Sequence, residues 1–559
     1  MTHLKLKYII VLLSLVSLAG CDFMDCDESS NYDKQDVFES FTRTKQMVTN
    51  IYGYLPNDFC ATAGAMQDAA TDDAIHIYES SDIQRFVNGT WSANSVVDDV
   101  WSTYFEGIRA ANLYLKEADG LTFEDWKYAD NYDSMMKDFT NYQYEVRFLR
   151  AFFYFELMKR YKNIPLVKDV LTIDQANKVM PADYTQIGDF IMSECSQVAT
   201  KLPINYTGFT DKETGRITRG AALALKARVA LYLASPLYSA DDATKWKAAA
   251  KAAYEIIGSA TALGYQLDAS YANLFGATNN TSKEMILARS VGESGNFEKA
   301  NFPMGVEQGK TSTCPTENLM EAYEMTDGTP FDWNNADVVA KGPYESKRDP
   351  RMKLTIVYND MPWPTTKKME IWEGGANGLP LTNATKTGYY LRKYVNSEIS
   401  FASGSTVTKK FHNWVLFRYA EVLLNYAEAM VNAFHDPLYK DVEFPMSANE
   451  AVKLVRDRTG VKMPSFPTTL SEEEFMKRLK NERRVELAFE GHRFWDVRRW
   501  KELKKTSNIY GVKVQKTDAG FVYTKFLYAT RPVTDNMYFY PISNVERNKN
   551  INLGQNTGW

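Results

Sequence analysis

Residues 481–500, NERRVELAFEGHRFWDVRRW, hold the densest chemistry in the chain. Glu486, Glu490, His492 and Asp496 offer acid, base and metal-ligand groups within about three helical turns, with Arg483, Arg484, Arg493, Arg498 and Arg499 among them. A proton relay or a metal centre needs such groups on one face. Glu490 and His492 stand two apart and point to different sides of a helix, and the Glu-x-x-His step of a di-metal bundle is missing. The other chemistry these residues can do is electrostatic. Glu482, Glu486 and Glu490 recur every fourth residue, which on a helix makes one row. Phe489, Phe494, Trp495 and Trp500 predict burial, and buried charges require partners. The segment reads as an ion-pair lattice fastening a C-terminal helix to the body, none of whose residues needs to touch a ligand.

Other catalytic signatures are missing. The five histidines form no HExxH, and there is no GxSxG. GVEQGKT at 305–311 imitates a phosphate loop, but only three residues separate its glycines. No EF-hand pattern occurs and no cofactor or metal site is assigned, while loop carboxylates leave a calcium ion open. Acid-rich loops leave a glycoside hydrolase open, but nothing selects a pair of carboxylates. Cys26, Cys60, Cys195 and Cys314 have neither metal-ligand spacing nor a CxxC, and Cys314, between Thr313 and Pro315, reads as a buried structural thiol. A net charge of −5 and a pI near 5.8 give no basic stripe for nucleic acid. The aromatic share of 13% exceeds what a core needs and suggests a recognition surface.

The elements that must position such a surface are mostly helical. Apolar stripes predict helices over 36–54, 95–118, 139–162, 184–202, 216–235, 246–259, 414–434 and 448–459. The alanines and Gly220 of 216–235 let neighbouring helices approach closely. Paired helices of this size predict a mostly α fold of tetratricopeptide-like hairpins, although no strict 34-residue period survives. Residues 266–412 break the pattern with Gly, Asn, Thr and Pro, and short β-like runs at 353–358 and 388–394. An irregular insertion of that size on a rigid scaffold is where binding residues usually sit. The expected organisation is one domain over 36–559: scaffold at 36–265 and 413–505, irregular half at 266–412, and a C-terminal tail at 506–559.

The chain opens with a basic start at His3, Lys5 and Lys7, an apolar run too short for a stable membrane span, and Leu18-Ala19-Gly20-Cys21. LAGC resembles the bacterial lipoprotein box, which implies a signal peptide over 1–20 and a lipid on Cys21. The acidic tether at 21–35, with Asp22, Asp25, Asp27 and Glu28, resembles the export signal of surface lipoproteins in Bacteroidota-type bacteria.

FLRAFFYFELMKRYKNIPLV at 148–167, FRYAEVLLNYAEAM at 417–430, VRDRTG at 455–460, the 481–500 segment and the ending YFYPISNVERNKNINLGQNTGW together resemble the SusD/RagB family of outer-membrane nutrient-binding lipoproteins. The blocks run in family order across nearly the whole mature chain. The resemblance implies a non-catalytic glycan-binding protein that serves a SusC-like TonB-dependent transporter. Some members serve peptides or glycoproteins, so a peptide-binding lipoprotein is the other binding reading.

The family's site lies on the face made by the N-terminal loops and the irregular half. A sugar needs aromatic platforms for its C–H faces and carboxylate or guanidinium groups for its hydroxyl rim. On the 57–94 loop the candidates are Asp58, Asp72, Asp73 and Trp91, with loop anchoring as the alternative for Trp91 and helix capping for the Asp72-Asp73 pair. In the irregular half they are Trp333, Trp363, Trp372 and Arg392, and Tyr419 stands at the start of the following helix as a pocket wall.

Overall fold

The computed structural model describes residues 32–209, 213–340, 342–344, 347–402 and 407–559. The signal segment, Cys21 and most of the acidic tether lie outside the described residues. No described helix is long and apolar enough to cross a membrane.

Helical hairpins build the scaffold, as expected. The main helices are Phe41–Tyr52, Trp101–Glu117, Tyr132–Tyr161, Tyr184–Ala199, Arg219–Ala234, Ala243–Ile257, Tyr419–Phe434 and Ala448–Arg456. Their starts follow from local chemistry. Asp183, Ser447 and Ser471 each cap a helix and are bonded back by Gln186, Glu450 and Glu474, which satisfies orphan N–H groups at both places. The small residues of Arg219–Ala234 work as predicted: a Cβ on Gly220 would stand 1.9 Å from the Tyr265 hydroxyl. On the neighbouring helix, a Cβ on Gly188 would meet Leu233 at 2.5 Å.

Several boundaries differ from expectation; the helix expected from 139 already begins at Tyr132. The first helix is broken at Ser40, whose side chain accepts from the Arg43 N–H and restarts it. The helix expected from 95 starts at Trp101, because 92–100 forms a turn with Asp98 in the left-handed region at φ 55°. The helix expected from 414 starts at Tyr419. Residues Lys410–Arg418 instead form a strand, rich in aromatic and β-branched side chains and buried from His412 on. It pairs antiparallel with Met285–Ser294, setting Trp414 opposite Arg289.

The irregular half carries short strands, Ile356–Val357 pairing with Tyr390–Leu391. The tail is more ordered than its designation implied. Asn508–Thr517 and Gly520–Thr530 form a hairpin, and their alternation over IYGVKVQKT and GFVYTKFLYAT is the signal that marks it.

The 481–500 segment is two helices, not one. Glu472–Glu486 ends in a turn that holds Phe489 at φ 58° and Gly491 at φ 74°, and Arg493–Arg499 follows. The lattice is present and extends across the molecule. Glu486 pairs with Arg351, Arg418 and Arg458 at 2.7, 2.7 and 2.8 Å, and Glu482 with Arg351 and Arg456 at 2.6 and 2.5 Å. Asp496 joins Arg483 to Arg499, which also binds Glu428. Arg351 and Arg418 come from the irregular half and from the strand end, so the lattice ties both halves together.

Candidate functional site

A cleft of about 460 Å³ opens where the scaffold meets the two long strands of the irregular half, a size within the range of small-ligand sites. The loop after Phe41–Tyr52 supplies Tyr54, Asn57 and Asp58, and the start of Trp101–Glu117 supplies Thr103 and Tyr104. Tyr132–Tyr161 contributes Phe152, Glu156, Lys159 and Arg160, and Arg219–Ala234 contributes Arg228 and Tyr232. Arg289 and Trp414 come from the strands, and Glu490, Gly491, His492 and Trp495 from the turn that breaks the lattice segment and from the helix after it. Sequence reasoning gave the 481–500 segment a purely structural part; the structure makes its turn a wall of the cleft as well.

Phe59 fixes the loop that carries Asp58. Its ring sits edge-on among Phe297, Tyr394, His412 and Trp414, with centroids 5.1 to 5.4 Å away. Trp414 in turn stacks on Tyr394 at 5.1 Å and 23°. Asp58 Oδ2 accepts the Gln67 N–H at 2.6 Å, while Oδ1 has no hydrogen-bond partner among the described residues. Burial pushes the Asp58 carboxyl well above the usual carboxylate range, and the Gln67 N–H only partly opposes this. The Tyr104 hydroxyl and the Arg289 guanidinium also make no hydrogen bond among the described residues.

Of the residues expected at a binding face, only Asp58 lines this cleft. Asp72 and Asp73, expected as hydroxyl acceptors, are buried in an ion cluster. Arg484 donates to both, at 3.0 and 2.6 Å, and Arg493 donates to Asp72 at 2.9 Å. Burial alone would raise Asp72, but the two guanidinium groups outweigh it and hold the carboxyl at about 2. Trp91, expected as a platform, is an anchor instead: it is 2% exposed, with its ring against Phe86, Tyr540 and Trp559. Trp363 is 4% exposed and packs edge-on against Phe302. Tyr419 is also buried, at 8%, in the first turn of its helix and outside the cleft wall.

The other three lie partly exposed on the irregular half. Trp333 donates its indole N–H to Glu317 at 2.9 Å. Trp372 lies over Phe521 at 5.3 Å, with Lys516 Nζ 4.5 Å from its ring centre. Arg392 donates to the Lys353 carbonyl. The three are engaged with different parts of the chain: Glu317, the C-terminal hairpin and the Lys353 carbonyl. Among the described residues no group of three His, Cys, Asp or Glu side chains is arranged to hold a metal ion.

Comparison with known proteins now joins the fold to a family. The profile of the SusD family matches residues 279–559. The chain belongs to the SusD family. A second profile, described as starch-binding associating with outer membrane, matches residues 22–231. The SusD-family fold is also found in two solved structures from Bacteroides fragilis. One, described as a SusD-like protein, is 25% identical and superposes with a TM-score of 0.76 over 94% of this chain and 99% of its own. The other, described as a SusD-like carbohydrate binding protein, is 25% identical, with a TM-score of 0.75 over 93% and 100%. A SusD-like protein of Formosa agariphila is 21% identical over 89% of this chain and 90% of its own length.

Sequence reasoning left Tyr104 within the helix expected over 95–118 and missed Arg289 altogether. The run MILA before Arg289 has the character of a buried strand, so an arginine at its end was a visible oddity. That it has no ion-pair partner among the described residues is a property of the folded chain only.

Proposed function

We propose that this SusD-family protein captures glycans, holding the end of an oligosaccharide in the cleft without cleaving it. The observation that carries the reading is that Asp58 Oδ1, the Tyr104 hydroxyl and the Arg289 guanidinium, none hydrogen-bonded among the described residues, line one cavity beside the aromatic rings of Tyr54 and Trp414. Polar groups at the rim of flat apolar rings suit the hydroxyls and C–H faces of a sugar. The description of its B. fragilis neighbour as carbohydrate binding supports the same class.

Binding without chemistry accords with most carboxylates of the cleft being held by cations. Asp98 accepts from Arg160, Gln67 and Tyr540, Glu156 is paired with Lys159 and Arg160, and Glu490 is held by Arg418 and Lys393. Asp58 and Asp99 also line the cleft and are not so paired, and hydrolysis, which needs two carboxylates, would have to use these. In this reading the protein is anchored by lipid on Cys21 to the outer membrane, faces the exterior, and passes its glycan to a SusC-like TonB-dependent transporter. The family profile named for outer-membrane association supports the location.

The test is a glycan array followed by titration with the mature protein, then with Tyr104→Phe and Asp58→Ala. Retention of a glycan, weakened about tenfold or more by each variant at unchanged secondary structure, is the expected result. Release of reducing ends by the purified protein, or binding of peptides with no glycan retained, would sink the proposal.

A further inference from the structure

The cations around the cleft are each paired with a carboxylate, with one exception among the described residues. Arg160 donates to Asp98 Oδ2 at 3.0 and 2.8 Å and to Glu156 at 2.7 Å. Lys159 pairs with Glu156 at 2.6 Å, and Arg228 with Glu421 at 2.6 Å. Glu490 lies between Arg418 and Lys393. At the exposed edge Asp99 accepts from the Tyr161 hydroxyl at 2.8 Å. Burial pushes the Asp58 carboxyl well above the usual carboxylate range, and Asp58 forms no ion pair with any cation of the cleft among the described residues.

Arg289 is the exception. It is half-buried, lines the cleft opposite Trp414 in the strand register, and makes no hydrogen bond or ion pair among the described residues. The group that acts on it electrostatically is the Tyr104 phenol, not a carboxylate. A partly desolvated guanidinium without a counterion is costly, and its planar fork matches a carboxylate through two parallel hydrogen bonds. Lysine would supply only a point charge.

We propose that the cleft selects sugars carrying a carboxylate, that is uronic acid residues, with Arg289 forming a bidentate pair to the ligand carboxylate beside Tyr104 and Trp414. This rests on the glycan-capture reading and adds the substrate class. It also makes Arg289 the specificity-determining residue, since the other cations of the cleft are already paired.

The experiment titrates the mature full chain by calorimetry with oligomers of galacturonate, mannuronate, guluronate and glucuronate. Each is matched to its carboxyl-reduced neutral counterpart, and sulfated oligomers of the neutral sugars are run alongside. For at least one matched pair the acid should bind about tenfold to a hundredfold more tightly, the range of a charge-assisted hydrogen-bonded pair. Arg289→Ala and Arg289→Gln should erase the preference, the acid binding each variant no more tightly than its neutral counterpart binds the same variant. The melting temperature should hold, because no internal partner is stranded. Preference for neutral or sulfated oligomers, or an acid preference that survives in Arg289→Ala, overturns the proposal. If neutral glycans bind, Tyr104→Phe weakens them and no acid is preferred over its neutral counterpart, glycan capture stands and acid selection falls. If the folded protein binds no oligomer of any kind, both fall.

Discussion

Arg418 grips both carboxylate oxygens of Glu490, with Nε 2.7 Å from Oε2 and Nη2 2.8 Å from Oε1. Gly491 and His492, the next two residues, line the cleft. The same pair therefore fastens the C-terminal segment and sets the position of a binding wall. Burial works against the charge on Glu490, but Arg418 and Lys393 outweigh it and hold the carboxyl below the usual range.

Glu490→Ala leaves Arg418 and Lys393 buried with less compensation. Removing one member of a buried pair costs about 3–5 kcal/mol, and urea unfolding should show a loss of that order. Because the turn is also a wall, glycan affinity should fall in the protein that remains folded. Calorimetry below the unfolding transition separates the two effects, and unchanged affinity there would show that the turn keeps its shape without the pair.

Trp91→Ala should lower stability alone. The ring is enclosed by Phe86, Tyr540 and Trp559, away from the cleft. Truncating a buried tryptophan costs about 3–5 kcal/mol. A lowered unfolding midpoint with glycan affinity intact is expected; loss of affinity at unchanged stability would restore Trp91 as a platform.

Acid should expose the lattice through Glu428. Burial opposes its charge, but Arg499, at 2.5 and 2.7 Å, and the Trp500 indole N–H, at 2.7 Å, prevail and hold the carboxyl at about 2 against an ordinary 4.5. The folded pKa lies below the unfolded one, so this stabilisation is fully present at neutral pH and is lost as pH falls from about 4.5 towards 2. At about 1.4 kcal/mol per pKa unit, the loss is about 3 kcal/mol. In Glu428→Gln the protein should be weaker at pH 7 and its acid limb shallower, as followed by unfolding at stepped pH. A parallel acid limb in both proteins would rule Glu428 out as a contributor.

What could be read beforehand follows from how local each feature is. The helices, the small-residue contact at Gly220 and the charge lattice depend on residue type and spacing, so they were visible in the chain itself. The break after Glu486 was harder, because Glu490 continues the four-residue row while Gly491 at φ 74° ends it. The loop tryptophans were expected to be exposed because Gly, Asn and Pro flank them. Yet Trp91 is closed over by Trp559, almost five hundred residues away, and Asp72 and Asp73 are taken by Arg484 and Arg493 across a similar distance. Asp58 was found on its loop context. Arg289 was not, since its distinguishing feature is the partner it lacks among the described residues.

Phe59 tests whether the cleft depends on its supporting ring. Its four edge-on contacts join the loop bearing Asp58 to Trp414 and to the irregular half. Phe59→Ala removes a half-buried ring and should cost about 2 kcal/mol, less than Trp91→Ala. Its effect on binding should be larger. Without the ring, residues 57–60 are no longer pinned, and Asp58 and Trp414 lose their relative position, although neither is mutated. Glycan affinity should drop about tenfold or more, a displacement cost at a site whose groups were held in place by packing. Phe59→Leu, which keeps apolar volume but loses the edge-on geometry, should fall between. Equal affinities for wild type and Phe59→Ala would show that the cleft is held open by the strands and helices alone.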